Sequence, residues 1–400
     1  MPGRCSFQKK IVFHDCLLAA IEALLRSYVL YKKNIGKIMQ LKPRPGILSI
    51  SPYQGGLSKA AGAEKVLKLS SNENPFGASK AAKEAYIKAA ENLHRYPDGA
   101  ALALREAIAD CYKLPKEQII CGAGSDELIS LLCKAYAGEG DEILYSQYGF
   151  LMYPIAAHSV GAQPIAAPEA FLRADIQALI AAITPKTRIV FLANPNNPTG
   201  SYITKAELDV LHAALPENVL LVVDAAYAEY VEEADYSSGE HLIAAYKNVV
   251  MTRTFSKIYG LAALRLGWAY AAPEITDVLN RLRGPFNVSS PAIYAGIAAL
   301  GDEDFVARAR VHNRVERLKM AKEMSEIGLE VLPSVANFLL LRFKGGAAQA
   351  DSALAFLMGQ GIILRAMKGY GLADCLRVTI GSIEENQVFC NALRVFLDGE

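Results

Sequence analysis

The stretch "TRTFSKIYGLAALRLGW", residues 252–268, sets Lys257 in a run otherwise composed for burial and places Arg265 eight positions later. Burying a lysine is costly unless it is paired, neutralised or chemically used, because desolvation opposes its charged form. A neutral amine is a nucleophile that can form an imine with a carbonyl; the plainer alternative is a lysine at the core's edge that snorkels to water. Asp224 closes the apolar run "VLLVVD", so its carboxylate has little water around it and needs a cation, for which a protonated ring nitrogen is one fit. Tyr227, three residues on, can reach a phenolate oxygen on the same ring. Asn197 offers an amide from "NPNNPTG", a loop stiffened by its prolines. In "CGAGSDELI" two glycines, among them Gly124, and then Ser125 and Asp126 stand where a strand turns into a helix, whose free N–H groups and dipole favour a phosphate. Each has a structural explanation when taken singly: Asp224 can cap a turn, and Ser125 or Asp126 can cap a helix. "GAGSDE" also has Glu127 where a dinucleotide fold would want its third glycine, which removes support for a nicotinamide cofactor.

Jointly these groups ask for one ligand bearing a phosphate, a protonatable ring nitrogen, a ring oxygen and a carbonyl. Pyridoxal 5'-phosphate has all four.

The elements that must position such residues are legible from about Glu117 onward. Short β-rich runs alternate with helical patterns, as in a parallel sheet covered on both faces. "EQIICGAGSDELISLLCKAY" reads as strand, glycine turn and helix. "DEILYSQYGF", "TRIVFLANPNNPTG", "NVLLVVDAAYAEY" and "NVVMTRTFSK" each hold a strand followed by a polar or glycine-rich exit. In an open parallel sheet these exits share the carboxyl edge, where ligands bind. Asn197, Asp224, Tyr227, Ser256 and Lys257 are therefore expected in one crevice. After Arg281 a long charged helix, the run "SVANFLLLRF", another helix and "CLRVTIG" read as a smaller α+β domain. The expected division is an N-terminal extension over 1–42, a discontinuous small domain over 43–78 and 286–400, and a large domain over 79–285.

The 400 residues are 52% hydrophobic and 21% charged, which suits a globular chain with a large core. A net charge of +1 gives no reason to expect nucleic acid or an acidic membrane as partner. Seven cysteines form no CxxC pair and suit reduced thiols in a cytoplasmic protein, and the scattered histidines offer no metal site. The first 38 residues carry seven basic and two acidic side chains. This composition shift marks an appendage, with Met39 as the expected natural first residue; a basic amphipathic leader is the alternative. A helix is expected over residues 11–30, too interrupted by charge to span a membrane.

Seven segments, "SNENPFG", "RYPD", "GAGSDE", "PNNPTG", "DAAY", "TFSK" with Arg265, and "GIILR...CLRVTIG", occur in the order found in class I and II aminotransferases, and the chain from about residue 43 resembles that family. More narrowly it resembles the histidinol-phosphate aminotransferases. The resemblance implies a pyridoxal-phosphate transferase fold of type I, a mostly parallel central sheet sandwiched by helices with a smaller α+β domain. It implies that Lys257 binds the cofactor covalently, Asp224 keeps the ring nitrogen protonated, and Asn197 and Tyr227 bond the ring oxygen. Gly124, Ser125, Asp126, Thr254, Ser256 and Arg265 would surround the phosphate, and Tyr148 would stack on the ring.

The same resemblance implies a homodimer in which Tyr96 reaches the neighbouring subunit's cofactor phosphate. Arg377 would clasp a substrate carboxylate, its planar fork suiting the job. Arg365 and Tyr53 would meet the substrate phosphate or the distal carboxylate of glutamate, with Asn337 in the same space. The implied reaction moves an amino group between glutamate and 3-(imidazol-4-yl)-2-oxopropyl phosphate, giving histidinol phosphate and 2-oxoglutarate in histidine biosynthesis. Its rivals are an aromatic amino acid aminotransferase, a threonine-phosphate decarboxylase, and a cofactor-binding regulatory domain without turnover.

Overall fold

The computed structural model describes residues 18–33, 42–53, 55–56 and 66–399. Contacts divide the chain into residues 1–48 and 49–400. In the first unit, residues 18–33 form a helix exposed along its whole length. Lys32 lies one turn beyond Tyr28, with its Nζ 5.4 Å from the ring centre. The rest of the expected helix, residues 11–17, and Met39 lie outside the described residues.

In the second unit, seven strands form one sheet in the order Ile119–Gly122, Gly267–Ala271, Val249–Thr254, Leu220–Asp224, Thr187–Ala193, Glu142–Ser146 and Gln163–Ala167. Every residue of Leu220–Asp224 and Val249–Thr254 is buried. The apolar and β-branched residues that dominate both runs follow from cover on both faces, with Asp224 and Arg253 as the buried charged exceptions. Pairing is parallel from Val249–Thr254 to Gln163–Ala167. Gly267–Ala271 is the exception, running antiparallel to both neighbours. The link from Thr254 to Gly267 holds the lysine loop and one short 3-10 turn, Ala262–Leu264. No crossover helix carries the chain back to the other end of the sheet, so the next strand must return antiparallel.

A second sheet, in the order Glu330–Val331, Phe338–Arg342, Cys375–Thr379 and Arg365–Ala366, is antiparallel throughout. The helices Glu303–Glu326, Gly346–Gly359 and Ile383–Asp398 cover it. Their Met320, Ala353 and Phe389 share a core with Leu341 and Val378. Leu67–Lys68 pairs in parallel with Ile362–Ile363, tying the segment before Leu69 to this layer. Helix Ser290–Leu300 lies beyond the expected boundary at 286, yet its Ala292, Ala295 and Ala299 pack into the core of the large sheet with Leu104 and Phe255.

Candidate active site

Parallel pairing sets the strand ends level: Ala193 registers with Asp224, and Asp224 with Thr252. The loops leaving those ends open on a cavity of about 340 Å³, closed on its other side by Tyr53, Arg365, Tyr370 and Arg377.

At one end the helix Ser125–Tyr136 begins without a side-chain cap, so its first-turn N–H groups are offered to the cavity. Arg265, in left-handed backbone at φ 50°, donates from Nη1 to Ser256 Oγ at 3.2 Å and from Nη2 to Asp126 Oδ2 at 3.1 Å. Thr254 Oγ1 accepts the Ser256 N–H at 3.1 Å, which fixes the start of the lysine loop. Gly124 sits at φ 83°, and a Cβ there would lie 2.5 Å from Arg265 Nη2. The guanidinium, two hydroxyls and helix N-terminus make a donor set suited to a phosphate.

Asp224 lies deeper. Its Oδ2 accepts from Tyr153 Oη at 2.9 Å and its Oδ1 from Thr252 Oγ1 at 3.2 Å. Burial pushes its carboxyl up to about 6 despite those donors. Lys257 donates from Nζ to the Ser71 carbonyl at 3.3 Å and stands 5.6 Å from the centre of the Tyr227 ring. Burial first, and then the Arg377 charge, brings its amine down to about 8. The Tyr227 hydroxyl accepts from Asn72 Nδ2 at 2.9 Å, and burial raises its phenol.

Arg377 donates to Asn197 Oδ1 and, from Nη2 at 3.1 Å, to the Ser70 carbonyl. Its buried Nε has no hydrogen-bond partner among the described residues. Arg365 stands opposite it on the adjoining strand, with its guanidinium 5.8 Å from the Tyr53 ring centre.

A buried carboxylate, a buried amine, a phosphate cradle and two arginines lining one cavity form the setting of amino-group transfer. Residues 64–393 match the sequence profile of "Aminotransferase class I and II". The chain belongs to this family. Curated relatives include the histidinol-phosphate aminotransferase of Paramagnetospirillum magneticum, 52% identical over 356 residues, covering 89% of this chain and 98% of that one. The enzyme of the same name from Rhodospirillum rubrum is 52% identical over 360 residues, covering 90% and 98%. Among solved structures, the histidinol-phosphate aminotransferase of Sinorhizobium meliloti in complex with pyridoxal-5'-phosphate superposes with a TM-score of 0.83 at 28% identity, covering 90% of this chain and 99% of that one. The fold is thus the type I fold of pyridoxal-phosphate enzymes, with a mixed central sheet and a smaller second domain.

In this aminotransferase the cavity wall includes Tyr53, Ser125, Asp126, Asn197, Asp224, Tyr227, Thr254, Ser256, Lys257, Arg265, Arg365 and Arg377. Gly124 lies directly behind Arg265. Three expected residues lie elsewhere. Tyr148 packs against the buried cluster of Leu172, Leu340 and Met367, and the aromatic that this loop puts in the wall is Phe150. The Gly149 N–H bonds the Ser146 carbonyl at 2.7 Å, and this turn carries Tyr148 away and returns the chain at Phe150. Asn337 is buried one layer back, donating to the Asn72 carbonyl at 3.0 Å. Tyr96 is 81% exposed and stacks on Phe286, centroids 4.6 Å apart.

Sequence reasoning missed Phe150, Tyr153, Tyr370 and Asn72. Asn72 lies inside "SNENPFG", a segment read as a family marker without chemistry attached. Tyr153 had no signal: it sits in the first turn of the helix Met152–Val160, and its partner is 71 residues away.

Proposed function

We propose that the chain transfers an amino group from glutamate to 3-(imidazol-4-yl)-2-oxopropyl phosphate with pyridoxal 5'-phosphate as cofactor, yielding histidinol phosphate and 2-oxoglutarate for histidine biosynthesis. The observation that carries this reading is the opposed pair Arg365 and Arg377 in one cavity, beside Tyr53. Like charges directly opposite one another destabilise a sheet, so the pair suits a dianionic ligand, whether the two carboxylates of glutamate or the doubly charged phosphate monoester of histidinol phosphate. Histidinol phosphate and glutamate both have to be accommodated, and planar guanidinium donors suit phosphate and carboxylate alike. The 52% identity to enzymes that bear this name supports the same assignment.

The cavity fits pyridoxal 5'-phosphate on its own chemistry. Arg265, Ser256, Thr254 and the first turn of Ser125–Tyr136 would hold the phosphate, and Gly124 leaves room for the Arg265 fork. Asp224, whose buried carboxylate lacks a cation, would hold the ring nitrogen in its protonated form. Tyr227 and Asn197 would bond the ring oxygen, and Phe150 would flank the ring. When bound, the cofactor supplies a carbonyl to the amino group and a protonated ring that accepts the electron pair of a broken C–H bond.

This chain's residues do the rest. Arg377, fixed by Asn197 and Ser70, binds the α-carboxylate of glutamate in its half-reaction and orients the Cα–H bond. Arg365 and Tyr53 bind the distal phosphate or carboxylate. Lys257, with its amine near 8, is neutral in a useful fraction and takes the proton from the substrate Cα, then returns it as the acid. Its closeness to Arg377 favours the neutral form.

The active unit in this reading is a cytoplasmic homodimer. Tyr96, exposed beside Phe286, then completes the phosphate site of the second copy. The small domain comprises the segment around Leu67–Lys68 and the C-terminal α+β layer.

Spectral half-reactions of purified holoenzyme with histidinol phosphate, phenylalanine and threonine phosphate test the assignment. The expected outcome is the fastest reaction with histidinol phosphate. A phenylalanine rate far above it would move the chain to the aromatic aminotransferases.

A further inference from the structure

Three consecutive residues touch three different site residues. The Ser70 carbonyl accepts from Arg377 Nη2 at 3.1 Å, the Ser71 carbonyl accepts from Lys257 Nζ at 3.3 Å, and Asn72 Nδ2 donates to Tyr227 Oη at 2.9 Å. We propose that Ser70–Asn72 is a strap that sets the mutual geometry of Arg377, Lys257 and Tyr227, and that Asn72 is a positioning residue that directs the Tyr227 hydroxyl proton into the cavity.

The strap is itself rigidly held. Asn72 is buried and adopts φ 55°, a left-handed conformation uncommon outside glycine. Its N–H donates to Thr379 Oγ1 at 2.9 Å, and its carbonyl accepts from Asn337 Nδ2 at 3.0 Å. These anchors come from the smaller sheet and the loop leading into it, whereas Tyr227 follows a strand of the large one. Strain of this kind persists where surrounding bonds over-determine the backbone.

The side chain has a defined sense. Thr379 Oγ1 lies 3.4 Å from Asn72 Oδ1 and donates there, which leaves Nδ2 to face Tyr227. An amide donor on the phenol oxygen occupies one lone pair and excludes the hydroxyl proton from that direction. The proton is then free for an oxygen anion in the cavity. Tyr227 packs edge-on against Phe338 at 5.3 Å, so its ring cannot easily turn away. Asn72 thus links substrate-side and cofactor-side groups through one buried amide.

This inference rests on the transaminase reading for the role of Tyr227, but not on the identity of the substrate. Asn72→Gly tests it, because glycine keeps the positive φ and both main-chain anchors while deleting the amide. Holoenzyme variants Asn72→Gly, Tyr227→Phe and the double substitution are compared for cofactor dissociation constant, kcat and the pH midpoint of the cofactor's visible absorbance. Losing one net hydrogen bond weakens cofactor binding and kcat about 3- to 10-fold. In the Tyr227→Phe background the same substitution costs less than about twofold and leaves the midpoint in place, the signature of coupled residues. Equal losses in both backgrounds would overturn the proposal and reduce Asn72 to a brace for the fold. Asn72→Asp, which draws the hydroxyl proton toward a carboxylate, is expected to be more impaired than Asn72→Gly; wild-type behaviour of Asn72→Asp would also sink the idea. The cofactor measurements need no amino donor, so a different substrate preference leaves them interpretable.

Discussion

Arg365 and Arg377 face one another across neighbouring antiparallel strands, paired Cα to Cα, and both line the cavity that holds Lys257. Arg377 is tied to Asn197 and to the Ser70 carbonyl, whereas Arg365 lies over the Tyr53 ring. The two cations therefore differ in setting: Arg377 is buried, whereas Arg365 is half-buried with an aromatic neighbour. That asymmetry suits a fixed grip on the α-carboxylate of glutamate and a second grip on its distal carboxylate or on the phosphate of histidinol phosphate, which carries no carboxylate.

Arg365→Ala follows from this asymmetry. Removing a charge-assisted hydrogen bond costs about 1.5–3 kcal/mol, so kcat/KM for histidinol phosphate should fall about 10- to 150-fold. Phenylalanine, which has no distal anion, should lose far less. Equal losses for both would return Arg365 to a general electrostatic role.

Lys257→Ala removes the amine to which the proposed mechanism gives the Cα proton, the only lysine in the cavity wall among the described residues. Proton transfer by a positioned group contributes about 10²–10⁴-fold, and turnover should drop at least that far. Borohydride reduction followed by mass spectrometry should find cofactor joined to the wild-type chain and absent from the variant. Multiple turnover at the wild-type rate would end the mechanism.

The placement of two aromatics gives a paired test. Phe150→Ala should weaken cofactor binding, since its ring lines the cavity. Tyr148→Ala should bind cofactor much as wild type does, since Tyr148 packs against Leu172, Leu340 and Met367 and is not in the cavity wall. Equilibrium dialysis of both variants decides it, and the reverse ranking would restore Tyr148 to the ring face.

Stability of the cofactor-free chain should carry the mark of Lys257. Its amine is held at about 8 in the fold against 10.5 for the free side chain. Between those values the unfolded chain binds more protons than the folded one, so stability rises as pH increases from about 8 to about 10.5. Below this window both states are protonated and the contribution is flat. Melting curves across the range should show the rise in wild type and its absence in Lys257→Met; matching slopes would place the amine in water.

Gly124→Ala should loosen the phosphate end. The backbone at φ 83°, ψ 165° lies in a region essentially confined to glycine and disfavours a Cβ by about 1–3 kcal/mol, and that atom would lie 2.5 Å from Arg265 Nη2. Cofactor titration should show weaker binding by roughly tenfold, the equivalent of about 1.4 kcal/mol. Unchanged affinity would show that Arg265 has another place to sit.

Much of the fold was legible because the signals are local. "VLLVVD" must be a strand buried on both faces, and "GAGSDELI" must turn from strand to helix. The antiparallel return at Gly267–Ala271 was not read as a strand, since its direction depends on where the preceding loop leaves the chain. The offset between Tyr148 and Phe150 escaped notice for a similar reason: one turn hydrogen bond at Gly149 decides which of two nearby aromatics enters the cavity.

The sequence by itself determined the chemical inventory. A lysine in an apolar run, a carboxylate closing a buried strand, a glycine turn before a helix and two arginines limit the chemistry wherever they fold, because a charge in an apolar run conflicts with burial and a glycine turn leaves helix N–H groups open to an anion. Only the tertiary structure decided which groups control one another. Asn72 meets Tyr227 across 155 residues and Thr379 across 307, and Tyr153 reaches Asp224 across 71. Such pairings depend on how strands and layers stack, and a hydrogen bond between two buried side chains leaves no periodic trace in the chain that forms it.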